Sequence, residues 1–268
     1  MEGPDRDPIS IARVALTVRD LTRVGDWYSR VLGLERLAGD GSHLVLGAGD
    51  RPLVELRRDP AARIRAPQEA GLFHTALLLP TRADLGAWLQ RAIEARTPLQ
   101  GLSDHLVSEA LYLADPEGNG IEIYADRPRD AWRWSGGEVA MATERLDVEG
   151  LLAAAAAPWA GAPLGTMVGH VHLQVGDVAE AERFYHGRLG FDVTTHYPGA
   201  AFFSTGGYHH HLAANVWNSR GAGPRAMPST GLAELVLAVR DPARLAELGG
   251  EGAGFADPWA TPLRLEAA

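Results

Sequence analysis

The sequence predicts an α+β protein built from four copies of one strand–helix module. Three observations carry that prediction. Four short apolar runs echo one another: Arg13-Val-Ala-Leu-Thr-Val-Arg-Asp20, His74-Thr-Ala-Leu-Leu-Leu-Pro80, His170-Val-His-Leu-Gln-Val-Gly-Asp177 and Glu234-Leu-Val-Leu-Ala-Val-Arg-Asp241. Each run ends in Asp or Pro and passes into a helical pattern, as a strand feeding a helix does. The length of 268 residues is too great for one small core and suits two domains.

The first module opens with a strand over 11–18. Asp20 is placed to cap a helix over 20–33, with Leu21, Val24, Trp27, Tyr28 and Val31 on one face and Gly33 as its stop. Strands over 34–37, 43–46 and 53–56 complete a βαβββ order. The second module repeats it with a strand over 73–79, a helix over 82–95, and strands over 108–113 and 120–124. The turn formers Asp115-Pro-Glu-Gly-Asn-Gly120 join those last two strands.

A connector of over ~15 residues follows, too long for a simple turn. It carries the Ala/Leu-rich helix 148–157. The third module has a strand from Met167, a helix over 178–189 ending at Gly190, and strands over 191–196, 200–204 and 209–217. The fourth begins at Leu232 and holds only a helix over 242–248 and a short tail, so at least one strand should be missing or irregular. By chain order the division is 9–126, a connector 127–165, and 166–268.

Composition narrows the function. The apolar fraction of 46% and charged fraction of 22% are those of a globular protein. No apolar run approaches the ~20 residues of a membrane span, and the first residues lack a signal pattern, so a cytoplasmic protein is expected. Without cysteine, any metal must be held by His, Asp or Glu. A net charge of −9 with no basic stripe argues against nucleic acid and favours small-molecule chemistry.

The helix endings Trp27-Tyr-Ser-Arg-Val-Leu-Gly-Leu34 and Phe184-Tyr-His-Gly-Arg-Leu-Gly-Phe191, set in four βαβββ modules, resemble the vicinal oxygen chelate superfamily of glyoxalases, bleomycin-resistance proteins and extradiol dioxygenases. The resemblance implies two open-barrel, cup-like domains, with the fourth module the greatest departure. Paired modules in that family curl around a metal.

Two of the four module heads are histidine, His74 and His170. Glu122 lies 122 − 74 = 48 residues after His74, and strand alternation sets it opposite Ile121 and Ile123. A carboxylate facing a cup interior is costly unless paired or bound to a cation. Two imidazoles and one carboxylate suit Fe(II), with Mn(II) or another divalent metal also compatible. The other modules offer Arg13 with Glu55 and Glu234 with Arg264, and a protonated arginine cannot coordinate a cation. The functional cup should therefore join modules two and three, leaving one and four a degenerate cup. The family alternative pairs one with two and three with four, which would separate His74 from His170.

In Tyr208-His-His-His-Leu-Ala-Ala-Asn-Val-Trp217, alternation puts His209 and His211 on one face and His210 on the other. His211 should look into the metal cup and take and return a proton, although a fourth metal ligand or a surface cluster reads as well. Asp104-His-Leu-Val-Ser108, Tyr112 and the Asp-Pro-x-Gly-x-x-Ile-Glu-x-Tyr run are similar to extradiol ring-cleaving dioxygenases, and the whole chain looks like the two-domain catechol 2,3-dioxygenase branch. That resemblance implies a catechol and O2 as substrates and gives Tyr112 the substrate oxygen. It places His105 on a nearby loop and proton transfer on His211. His209 and Trp217 are further expected substrate contacts, with Phe73 and Phe202 in an apolar wall. Two other readings stand beside it: a glyoxalase-like isomerase or epimerase with four protein ligands, and a metal-free binding protein. Self-association into a homo-oligomer is left open.

Overall fold

The computed structural model describes residues 3–268. The first module is β1 (Ile9–Val18), α1 (Leu21–Trp27, continued by a π turn), β2 (Glu35–Gly39), β3 (His43–Ala48) and β4 (Arg51–Arg58). The second is β5 (Gly71–Leu78), α2 (Arg82–Glu94), β6 (Gly101–Asp104), β7 (Ser108–Ala114) and β8 (Gly120–Asp126). The connector forms a small hairpin, β9 (Trp134–Ser135) and β10 (Glu138–Val139), and the helix α3 (Val148–Ala154). The third module is β11 (Met167–Gln174), α4 (Val178–Tyr185), β12 (Asp192–Tyr197), β13 (Ala200–Ser204) and β14 (Leu212–Asn215). The fourth, β15 (Gly231–Val239), α5 (Pro242–Glu247), β16 (Gly254–Ala256) and β17 (Pro262–Ala267), is one strand short, as the sequence predicts.

Local chemistry starts and stops the helices. Asp20, Thr81, Asp177 and Asp241 each accept a backbone N–H from the first turn of the helix they precede. Gly33 ends the first helix with a left-handed φ of 71°, which costs glycine nothing. Two departures from the sequence reading stand out. The strand β6 is short, carries no alternation and escapes a pattern search. The strand expected over 209–217 spans only Leu212–Asn215, so the three histidines lie in the approach to it.

The strands form two half-barrel sheets. One has seven strands in the order β16-β17-β15-β1-β4-β3-β2, and the other eight in the order β12-β13-β14-β11-β5-β8-β7-β6. Modules one and four thus make one sheet, and modules two and three the other. The division 9–126 and 166–268 follows the chain, while the sheets take one module from each half. The joins are the antiparallel pairs β1 with β15 and β5 with β11. The pairing that unites His74 and His170 is the one adopted.

A buried apolar cluster runs through both sheets and the helices, from Ile9 and Leu16 through Leu77, Trp88 and Phe203 to Leu265. Burying one such side chain contributes about 1.5–3 kcal/mol, so this core fixes the strand register on which the site depends.

Candidate metal centre

Register builds the centre. In the central pair, His172 lies opposite His74 and His170 opposite Ala76. On the other side of β5, Ala76 is aligned with Glu122 of β8 in the parallel register. His170 and Glu122 therefore flank one alanine, and His74 stands two residues along the same face. The small Ala76 side chain leaves the space over which the three donors converge. Glu122 Oε2 is 3.2 Å from His170 Nε2 and 3.0 Å from His74 Nε2. All three residues are buried. They are the one group of three such donors placed to hold a metal ion among the described residues, with ligand atoms within 4.8 Å of one another.

The donors are poised for a cation. His74 Nε2 is buried, 3.0 Å from Glu122 Oε2, and makes no other contact with a hydrogen-bonding partner. Burial opposes ionisation of Glu122, but His170 and His74 outweigh it and hold the carboxyl well below its usual range. Burial drives His170 down to about 4, against the pull of Glu122. Both shifts lead to one state near neutral pH, an ionised carboxylate beside the unprotonated imidazole of His170. A buried carboxylate with two imidazole nitrogens beside it is the donor set a divalent metal satisfies.

The centre opens on a cavity of about 280 Å³. Tyr112, His105, His172, His210 and Trp217 line it, with Phe73 and Phe202 as further wall. Phe73 meets His172 at 5.1 Å and Trp217 at 5.5 Å between ring centroids. The connector closes one side through Met141, Ala142 and Thr143. His105 Nδ1 lies 2.7 Å from the carbonyl oxygen of Ala142, and its Nε2 is 2.6 Å from Tyr112 Oη. A carbonyl only accepts, so the neutral ring carries its proton on Nδ1 and Tyr112 donates to Nε2. Burial, then Glu122, pushes the Tyr112 hydroxyl well above its ordinary value, so it keeps its proton.

Two expected placements change. His211 is fully buried and faces away from the cavity, with Nδ1 2.9 Å from Ser204 Oγ and Nε2 3.3 Å from the Pro4 carbonyl oxygen. His209 is likewise behind the wall, on Asp126. His210 takes the cavity position, its ring 4.0 Å from that of His170. The alternation itself holds, with His209 and His211 on one side and His210 on the other, but the face turned inward is the opposite one. β14 begins only at Leu212, and the triplet's own pattern does not say which face meets the cavity. His172 also lines the cavity, a position the module-head pattern does not mark. Its Nε2 is buried without a partner, and lying two residues after His170 on one strand was the available signal.

In the seven-stranded sheet the equivalent positions hold ion pairs. Glu55 and Glu234 flank Ala15 as Glu122 and His170 flank Ala76. The Arg57 guanidinium lies between them, 2.6 Å from Glu55 and 2.9 Å from Glu234, and Arg264 adds a second contact at 2.9 Å. A fixed guanidinium stands where the other sheet has its donor set.

The model of the glyoxalase/bleomycin resistance protein/dioxygenase superfamily matches residues 10–123 and 167–255. The chain belongs to that superfamily. Both matched stretches carry the modules described above, and the gap between them is the connector. Within the superfamily, the chain is 44% identical over 228 residues to a catechol-2,3-dioxygenase of Bacillus subtilis, covering 83% of this chain and 80% of the relative. It is 32% identical over 123 residues to biphenyl-2,3-diol 1,2-dioxygenase 3 of Rhodococcus globerulus, covering 43% and 63%. In fold it is similar to a putative dioxygenase from Bacillus subtilis, with a TM-score of 0.61 at 13% identity over 96% of this chain and 84% of that one. A mutant of glyoxalase I from Zea mays gives 0.59 at 16% identity over 97% and 94%.

Proposed function

We propose that the chain is an Fe(II)-dependent extradiol dioxygenase that opens the ring of a catechol beside its two hydroxyl groups, using O2. The observation that carries this reading is the buried His74, His170 and Glu122 set at the floor of an aromatic-walled cavity. The names of the relatives support it. Three protein donors leave positions open, and Fe(II) there supplies a meeting point for the diol oxygens and O2 with electron transfer between them.

The chain's own residues do the rest. Tyr112 spends its proton on His105, so its oxygen faces the substrate as an acceptor for a diol hydroxyl. His210 receives and returns a proton, the role the sequence assigned to His211. His172 offers its unpaired Nε2 to a ring substituent. Phe73, Phe202 and Trp217 hold the ring and exclude water. The cavity lining contains no lysine or arginine, so the preferred substrates are uncharged catechols rather than ring carboxylates, whose charge would stay uncompensated.

The test is aerobic turnover by anaerobically Fe(II)-loaded protein of catechol, 4-methylcatechol and 3,4-dihydroxybenzoate. Yellow ring-opened product is expected from the first two and little from the third. Iron-loaded protein that yields no coloured product from any uncharged catechol overturns the reading.

A further inference from the structure

We propose that His209 and Asp126 are positioning residues that hold the ring proton of His210 on Nδ1, so that His210 presents a bare Nε2 to the cavity. This inference rests on the functional reading above, in which His210 moves a proton. His209 Nδ1 and His210 Nδ1 are 2.8 Å apart, and both rings are buried. Two bare nitrogens at that distance would repel and two protonated ones would clash, so one donates to the other.

The far end of the chain decides which. His209 Nε2 is 2.9 Å from Asp126 Oδ1, and Tyr208 donates to Asp126 Oδ2 at 2.9 Å. Tyr124 lies 2.7 Å from Tyr208 and, with the Tyr208 proton committed, is the donor of that pair. The Asp126 carboxylate accepts from both sides. A neutral His209 therefore keeps its proton on Nε2 and turns the Nδ1 lone pair to His210, which must supply the proton. Trp132 packs edge-on to His209 at 5.1 Å and fixes the ring.

The outer end of the chain is anchored in the sheet: Asp126 is the last residue of β8, four residues beyond Glu122, and its side chain is 17% exposed.

The experiment reads the tautomer directly, by ¹⁵N NMR of histidine-labelled, EDTA-treated protein. His210 protonated on Nδ1 and bare on Nε2 is the expected result, and a proton on Nε2 overturns the proposal without any variant. His209→Asn keeps an acceptor near Nδ1 and should keep that tautomer, whereas His209→Leu should release it. With Fe(II) and a catechol, H209L should lower kcat about 100-fold, the lower range for general acid–base catalysis, with KM changed less than about threefold. H209N should restore a hydrogen-bond acceptor for His210 Nδ1 and recover at least tenfold of the loss. Equal loss in both variants, or an unchanged tautomer in H209L, sinks the idea. Absence of any turnover defeats the functional reading alone, since the spectra still decide the tautomer.

Discussion

At the scale of single residues the site is governed by what burial does to imidazoles. Burial lowers His170 to about 4 and holds His172 and His210 well below 6.5. Between about 4 and 6.5 the unfolded chain binds protons that these folded rings refuse, so stability rises with pH through that window. Glu122, held low by His170 and His74 against burial, loses its contribution as pH falls below about 4.5 and acts in the same sense. The exposed His196, raised by Glu138, opposes this only weakly. The urea midpoint of EDTA-treated protein should therefore be lower at pH 5 than at pH 7.5, and equal midpoints would refute neutral, buried histidines. Removing a ligand should be harsher on metal than on fold. His74→Ala should weaken metal binding by more than the ~10–100-fold typical of a supporting residue, measured by titration calorimetry. His211→Leu should do the converse, leaving kcat within about twofold. It removes one hydrogen bond each from Ser204 and the Pro4 carbonyl, which keep Thr205 and the Asp7 N–H, at about 0.5–1.5 kcal/mol per bond in chemical denaturation.

Among the elements, β5, β8 and β11 carry the centre, and their register leaves little freedom. Gly169 sits where β11 shifts register against β5, and a Cβ there would lie 1.8 Å from Tyr124 Oη. Tyr124 in turn anchors Tyr208 and the Asp126 chain. Gly169→Ala should cost about 1–3 kcal/mol as overpacking and disturb the hydrogen-bond chain that ends at His210. Gly41→Ala, whose Cβ would meet nothing within 4 Å, should stay within about 0.5 kcal/mol by the same denaturation assay. The connector is also part of the site, because its Ala142 carbonyl sets the His105 tautomer and hence the sense of the Tyr112 hydrogen bond.

Over the whole molecule, one module arrangement is used twice with opposite charge logic. The eight-stranded sheet gathers acceptors and lone pairs around a place for a cation, and the seven-stranded sheet fills the matching place with Arg57 and Arg264. Because each sheet draws on both halves of the chain, neither half closes a sheet alone. Fragments 1–126 and 127–268 expressed separately should bind no divalent metal, and together should recover binding. A half that binds metal alone with full affinity would contradict the shared site. Among the described residues no helix is long and apolar enough to cross a membrane.

Some of this was fixed by the chain's own pattern. The echoed heads, helix caps and turn glycines specify βαβββ modules, because capping, periodicity and positive φ act within a few residues of sequence. The same local rules marked His74, His170 and Glu122, since each sits at an equivalent point of a repeated strand. What lay beyond them depended on contacts between distant segments. Alternation separated His210 from His209 and His211 but could not say which face turns inward, because that choice is set by Ser204, the Pro4 carbonyl and Asp126. Only the folded register brings Glu122 beside His170, puts Arg57 between two carboxylates, and lays a connector carbonyl on His105. Those juxtapositions join residues tens to hundreds of positions apart, where no sequence period reaches and packing alone decides.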